Sequence, residues 1–331
     1  MKNILKKKSR ESGRKELIWA SFNDDWIMYN IMAEERCGFL VSDTRLLLWK
    51  YEMEMLCWLN EICDKYDIQY FLIGGSEIGA IRHKGFIPWD DDIDIGMMRK
   101  DFDKLLSVYK QELPAEYDLQ YRFCGNGSVW SNLCRIRDKR TTGIIDNQAG
   151  KDIAHGVFIE IYPYDNLPNN RVAQKKMAKK VNNLIIILQD KIGQKACTGF
   201  RMKILKKIYT FKSPSQIDQM IENCCKKYNN MNTKYVGTLM TPSYVKSGTE
   251  VLERHCVEKT IIVPFENITA QVPKGYDECL MKQYGDYMKL PPEVDRGKHH
   301  SDKVFYDPLH PYTKYGGMCV DELFDKYGFL L

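Results

Sequence analysis

Across residues 43–66 apolar positions recur at helical spacing. Leu46, Leu47, Met53, Leu56 and Ile62 share one side, and Ser42 or Asp43 can cap the start. The pattern predicts an amphipathic helix. The period then changes: residues 68–73 form a short apolar strand ending in Gly74-Gly75-Ser76, and a helix is expected over 77–82. A loop through Gly85 and Pro88 leads to a second strand over 93–96, followed by a helix over 101–110. Residues 117–123, 129–136, 141–145 and 156–162 read as strands of a mixed sheet, the last closed by Pro163. From 171 to 229 the pattern becomes Lys-rich and helical, broken at Gly193, Gly199 and Pro214, its lysines read as a solvated face. Strand pattern returns over 236–240, 260–263 and 269–272. Pro273 is expected to open a helix through Tyr284, and a Pro/Gly-rich tail with Pro291-Pro292 finishes the chain.

These elements predict an α+β fold, a mixed β-sheet core flanked by helices. Four regions follow: a basic N-terminal extension (1–42), a core (43–170), a Lys-rich helical insert (171–230), and a C-terminal part (231–331) completing the core. A chain of 331 residues, 44% hydrophobic and 28% charged, can bury a core of that size. The net charge of +5 is modest. Lys2, Lys6, Lys7, Lys8, Arg10, Arg14 and Lys15 crowd the start, where a frayed tail is favoured over an electrostatic hold on an anionic membrane surface. Glu16, Asn23, Asp24 and Asp25 interrupt any secretory apolar run, and the apolar stretch 184–188 is too short to span a bilayer. The expectation is a soluble, cytoplasmic protein, with peripheral contact at the membrane's inner face through the basic N-terminus as the sharper alternative. The 11 cysteines include no CxxC pair and are expected to be reduced and mostly buried.

The densest chemistry lies between Phe71 and Ile95. On an extended strand Asp92 and Asp94 share one face while Ile93 and Ile95 enter the core, with Asp90 continuing the series. Four carboxylates stand within five residues, Asp90, Asp91, Asp92 and Asp94. Two like charges about 4 Å apart cost about 4 kcal/mol near a protein surface. Convergence without a cation would force protonation, and Mg²⁺ takes one or two carboxylates together with substrate phosphates. Gly74 and Gly75 let backbone N–H groups approach an anion, with Ser76 as a hydroxyl donor. Arg82, His83 and Lys84 are candidate phosphate contacts, although His83 serves equally well as a structural histidine. A calcium loop is rejected because Ile95 stands where glycine is required. Neither GxxxxGK[ST] nor GxGxxG occurs, and the scattered basic residues do not suggest nucleic-acid binding. Core packing is the stronger reading for Trp89, Tyr284, Tyr287 and Tyr312, and a structural role for His155.

The segment GGSEIGAIRHKGFIPWDDDIDIGMMRKDFD, from Gly74 to Asp103, closely resembles the signature of the LicD family. That family includes bacterial phosphocholine transferases and is related to the fukutin-type ribitol-phosphate transferases. The resemblance continues in GVFIEIYPYD from Gly156, in VPKGY from Val272, and in YGDYMKLPP from Tyr284 before His299-His300. It implies a nucleotidyltransferase-like fold, with Asp90, Asp92 and Asp94 as catalytic metal ligands. It also implies a further carboxylate at Glu160, where the family usually has Asp. His299 and His300 are expected to close over the donor. The implied cofactor is Mg²⁺ or Mn²⁺. The implied donor is a CDP-alcohol, CDP-choline in the favoured case, and the acceptor a hydroxyl of a cell-surface glycan, lipid-linked saccharide or teichoic-acid precursor. Two rivals remain: transfer of a nucleoside monophosphate, and a catalytically silent metal- or nucleotide-binding protein.

Overall fold

The computed structural model describes residues 32–297, 303–328 and 331. A short hairpin, β1 (Glu34–Arg36) and β2 (Phe39–Val41), precedes α1 (Asp43–Tyr66). Ser42 Oγ accepts the Arg45 N–H and caps α1, which ends at Asp67 in the left-handed region. Leu48, Met55, Leu56 and Leu59, all fully buried, turn one side of α1 into the core. β3 is only Phe71–Leu72, shorter than the apolar run promised. The glycines do not sit in a loop before a helix: α2 (Gly74–Ile78) starts on them and continues as a π turn over Gly79–His83. β4 (Asp94–Met98) leads into α3 (Arg99–Glu112), then β5 (Tyr117–Cys124), β6 (Val129–Asp138), β7 (Thr142–Ile145) and β8 (Val157–Leu167).

β8 runs straight through Pro163, against expectation, and the pairing explains it. The Glu160 N–H donates to Ile93 O on the β4 side, so by alternation the nitrogen of Pro163 faces the other edge. That edge is shared: β6 pairs with β8 only as far as Ile161, and the next partner begins at Asp165. Proline falls in the gap, where no ladder bond is lost.

The Lys-rich stretch breaks as expected, into α4 (Arg171–Lys191), α5 (Phe200–Ile208) and α6 (Pro214–Cys225). Val181, Leu184, Ile187 and Leu188 of α4 pack with Ile217 and Ile221 of α6 against Trp130, Leu133 and Leu167 of the sheet. β9 (Tyr235–Gly237), α7 (Pro242–Ser247), β10 (Leu252–Glu253) and α8 (Arg254–Val257) follow. Next come the hairpin β11 (Thr260–Phe265) and β12 (Ile268–Pro273), and α9 (Tyr276–Tyr284). Pro273 therefore ends a strand and does not open a helix. The tail is not structureless, since it carries β13 (Val304–Asp307) and α10 (Val320–Tyr327).

The central sheet has the order β10-β9-β8-β4-β3, with β6 on the first part of β8 and β5 outside β6. β4 and β8 are parallel; the remaining pairs are antiparallel. β7 pairs with β13 in a separate two-stranded sheet instead of joining the main one. The parallel pair is braced at its far end, where Arg99 donates to both oxygens of the buried Asp165 at 2.9 and 2.6 Å.

Candidate active site

The centre is built on one cross-strand row. Asp94 on β4 lies opposite Glu160 on β8, Glu160 opposite Arg135 on β6, and Arg135 opposite Gln120 on β5. Ile93 and Ile95 are fully buried, as the alternation required, and Asp92 and Asp94 take the other parity. Asp90 arrives by a different route, because the strand begins only at Asp94. A turn closed by Asp90 N–H to Ile87 O carries it in, and its carbonyl accepts from Arg45 Nη1 and Trp49 Nε1 of α1, both at 3.0 Å. Carboxylate oxygens of Asp90, Asp91 and Asp92 all lie within 4.8 Å of one another.

The glycine corner faces these acids directly. A Cβ built on Gly75 would lie 2.5 Å from Asp90 Oδ2, and one on Gly74 would lie 4.0 Å from Asp94 Oδ2 and 3.5 Å from the Tyr284 hydroxyl. Gly74 also takes a left-handed φ of 60°. Ser76 does something other than expected: its buried hydroxyl accepts the Asp94 N–H at 2.9 Å and donates to Asp92 O at 3.4 Å. It brackets the acidic strand and is not free to meet a phosphate.

Charge accumulates here beyond the aspartate run. Glu52 of α1 is fully buried with neither oxygen hydrogen-bonded, and Asp94 Oδ1 is likewise orphaned. Burial, then Asp91, Asp90 and Asp94, push the Glu52 carboxyl well above the ordinary carboxylate range. Asp92 is raised by burial and then by Asp94, Asp90 and Asp91. Asp94 is raised by burial and then by Glu160, Asp90 and Glu250. Orphaned oxygens on converging buried carboxyls are what a hard divalent cation satisfies, so the residues present fit such an ion. Glu160 is the most satisfied of the group. Arg135 Nη2 and Nε hold its Oε1 at 2.5 and 2.6 Å, and Tyr162 donates to its Oε2 at 2.6 Å.

Arg82 and His83, two of the three candidate phosphate contacts, meet other groups of the chain. Arg82 Nη1 donates to Tyr287 O at 2.6 Å and Lys289 O at 3.3 Å, and its Nε donates to His83 Nε2 at 2.9 Å. Burial, then Arg82 and Arg36, push the His83 imidazolium down to about 4, leaving the ring neutral at neutral pH. Lys84 is exposed on a left-handed turn. Trp89 packs against Phe39 and under Arg296, and His155 Nε2 bonds Lys151 O, both structural placements. His299 and His300 lie outside the described residues.

Two other places bear mention. His255, Cys256 and Glu278 cluster at the surface, already tied by hydrogen-bond distances of 3.2 and 3.4 Å from His255 Nε2. A cavity of about 830 Å³, lined in part by Asp118, Gln120, Tyr121, His155 and Tyr312, runs along β5, and neither the aspartates of 90–94 nor Glu52 or Glu160 line it.

Sequence reasoning overlooked Glu52, Glu250, Arg135 and Tyr162. Glu52 did leave a signal: its helical neighbours Leu48, Trp49, Met55 and Leu56 are all apolar, so a glutamate there turns inward.

Residues 67–182 match the family model for the LicD/FKTN/FKRP nucleotidyltransferase domain. The chain is 31% identical over 256 residues to the lipopolysaccharide cholinephosphotransferase LicD of Haemophilus influenzae, covering 76% of this chain and 94% of that protein. It is 44% identical over 137 residues to an uncharacterized protein of Rickettsia typhi, 40% of each chain. It is 28% identical over 102 residues to the human ribitol 5-phosphate transferase FKRP, 28% of this chain and 21% of that one.

Proposed function

The chain belongs to the LicD family of phosphotransferases, and from that premise we propose that it transfers a phosphoalcohol, phosphocholine in the favoured case, from a CDP-linked donor to a hydroxyl acceptor. The acceptor is a sugar hydroxyl of a cell-surface glycan, teichoic-acid precursor or lipid-linked saccharide, and CMP is released. One observation carries this reading: the carboxyls of Glu52 on α1, Asp94 on β4 and the aspartates just before it converge near the glycine corner, and buried oxygens of Glu52 and Asp94 are orphaned.

Asp90, Asp92 and Asp94 would hold Mg²⁺ or Mn²⁺, with Glu160 beside them. The ion would supply neutralisation of charge on the pyrophosphate and lower the acceptor hydroxyl's pKa. The chain's own part is positional. Ser76 and the Ile93/Ile95 anchors fix the aspartates, while Arg135 and Tyr162 fix Glu160. Gly74 and Gly75 keep side chains out of the approach to Asp94 and Asp90. The acceptor oxygen attacks the distal phosphorus in line, and its proton passes to a carboxylate. The bond to the bridging oxygen breaks, and CMP departs with the electron pair.

Product identity tests this. Incubation with Mg²⁺, CDP-choline and candidate glycans should release CMP and leave phosphocholine on the acceptor. Asp92→Asn/Asp94→Asn should lower turnover at least a hundredfold while keeping the fold, as circular dichroism reads it. Free phosphocholine with a cytidylylated acceptor means attack at the nucleotide-side phosphorus and overturns the assignment.

A further inference from the structure

α5 exposes what a helix ordinarily hides. Phe200, Ile204 and Ile208 of α5 and Phe211 in the turn that follows it, at spacings of four, four and three, are 80%, 46%, 64% and 96% exposed. The helix is not turned the wrong way, because Met202, Leu205 and Tyr209 already occupy its core side against α4 and α6. It therefore has two apolar faces, one packed and one bare. Bare apolar side chains at helical spacing mark an interaction surface.

Charge identifies the partner. Residues 191–217 contain Lys191, Lys195, Arg201, Lys203, Lys206, Lys207 and Lys212, and no Asp or Glu. On a helical wheel Lys203 and Lys207 flank the bare stripe on one side and Arg201 on the other. Between α4 and α5 runs a groove of about 300 Å³ whose wall includes Lys176, Lys179, Lys180 and Asn183. A stripe of large apolar side chains rimmed by cations, beside a cationic groove, has the composition of a helix that lies in the plane of a lipid interface. A second copy of this chain would set the same cations face to face, which disfavours self-association.

We propose that the α4–α5 face docks on an anionic bilayer. Phe200, Ile204, Ile208 and Phe211 enter the headgroup–acyl boundary, and Lys203, Lys207 and the Lys176–Lys179–Lys180 groove meet lipid phosphates. This assigns a role to the Lys-rich helices and puts a membrane contact on them. It stands independently of the transferase reading, because binding is measured without substrate.

Co-sedimentation of the full chain with vesicles tests it, using phosphatidylcholine alone or in equal parts with phosphatidylglycerol. Wild type should pellet with the mixed vesicles and stay in solution with the neutral ones. Phe200→Ser/Phe211→Ser should bind the mixed vesicles at least tenfold more weakly, and Lys203→Glu/Lys207→Glu should lose about fivefold per lysine or more. All four positions are exposed, so the fold is retained. Phe211→Trp adds a second readout, a blue-shifted emission on the mixed vesicles. Wild-type binding unchanged by the Phe200/Phe211 variant, binding to neither vesicle, or a concentration-dependent dimer that this variant dissolves would each overturn the proposal.

Discussion

Among single residues the acids decide most. Asp92, Asp94 and Glu52 have carboxyls raised above their unfolded values, first by burial and then by neighbouring acids. A raised carboxyl binds more protons folded than unfolded. Stability therefore falls as pH rises from the unfolded carboxylate range, about 4, through the raised native values. In chelator at neutral pH, Asp92→Asn/Asp94→Asn should melt above wild type by a few degrees, on the order expected for 1–2 kcal/mol in a domain of this size. The gap should close below about pH 4, where wild type is protonated in both states. Mg²⁺ should raise the wild-type Tm and leave the variant's nearly unmoved. Calorimetry across pH reads all three, and a wild type that outlasts the variant in chelator at neutral pH contradicts the strain described. The aspartates were visible in the sequence because they alternate with Ile93 and Ile95 within one short segment. Glu250 was not, since only the fold brings its distant part of the chain near Asp94.

At the scale of elements, the turn into α2 sets the acids' partner surface. Its two glycines serve different needs. Gly74 is held by backbone conformation, whereas Gly75 is held by space: a Cβ there would meet Asp90 Oδ2 at 2.5 Å. Gly75→Ala should push the Asp90 carboxylate aside. Because displacements of about 1 Å at a reacting centre cost on the order of a hundredfold, kcat/KM should fall by about that factor while Tm changes little. Steady-state kinetics beside a melting curve checks both, and unimpaired turnover would mean that Asp90 needs no fixed place. Elements whose signal is local were legible: α1 with its Ser42 cap, and the breaks at Gly193, Gly199 and Pro214. Elements that depend on partners were not. Pro163 reads as a terminator until β6 is seen to stop at Ile161, and β13 exists because β7 offers it an edge. That the Arg82 guanidinium meets the 287–289 backbone was likewise not legible, since those residues lie far away in the sequence.

Over the whole molecule, the parallel β4–β8 pair sits at the middle of the sheet, and α1, the segment before β4 and the turn before β10 bring acids to it from distant parts of the chain. No helix among the described residues is long and apolar enough to cross a membrane. The order of the LicD-like blocks was legible from end to end. What could not be read from them was the depth of the acidic centre, since burial arises from the packing of elements that the motifs do not include. The claim on which the rest depends is that this centre holds a divalent ion. Titration of the full chain with Mn²⁺, followed by electron paramagnetic resonance of the free ion, tests it most directly. Wild type should remove Mn²⁺ from solution saturably, and Asp92→Asn/Asp94→Asn, folded by circular dichroism, should leave it free. Equal uptake by the two proteins, or none by wild type, would contradict the account.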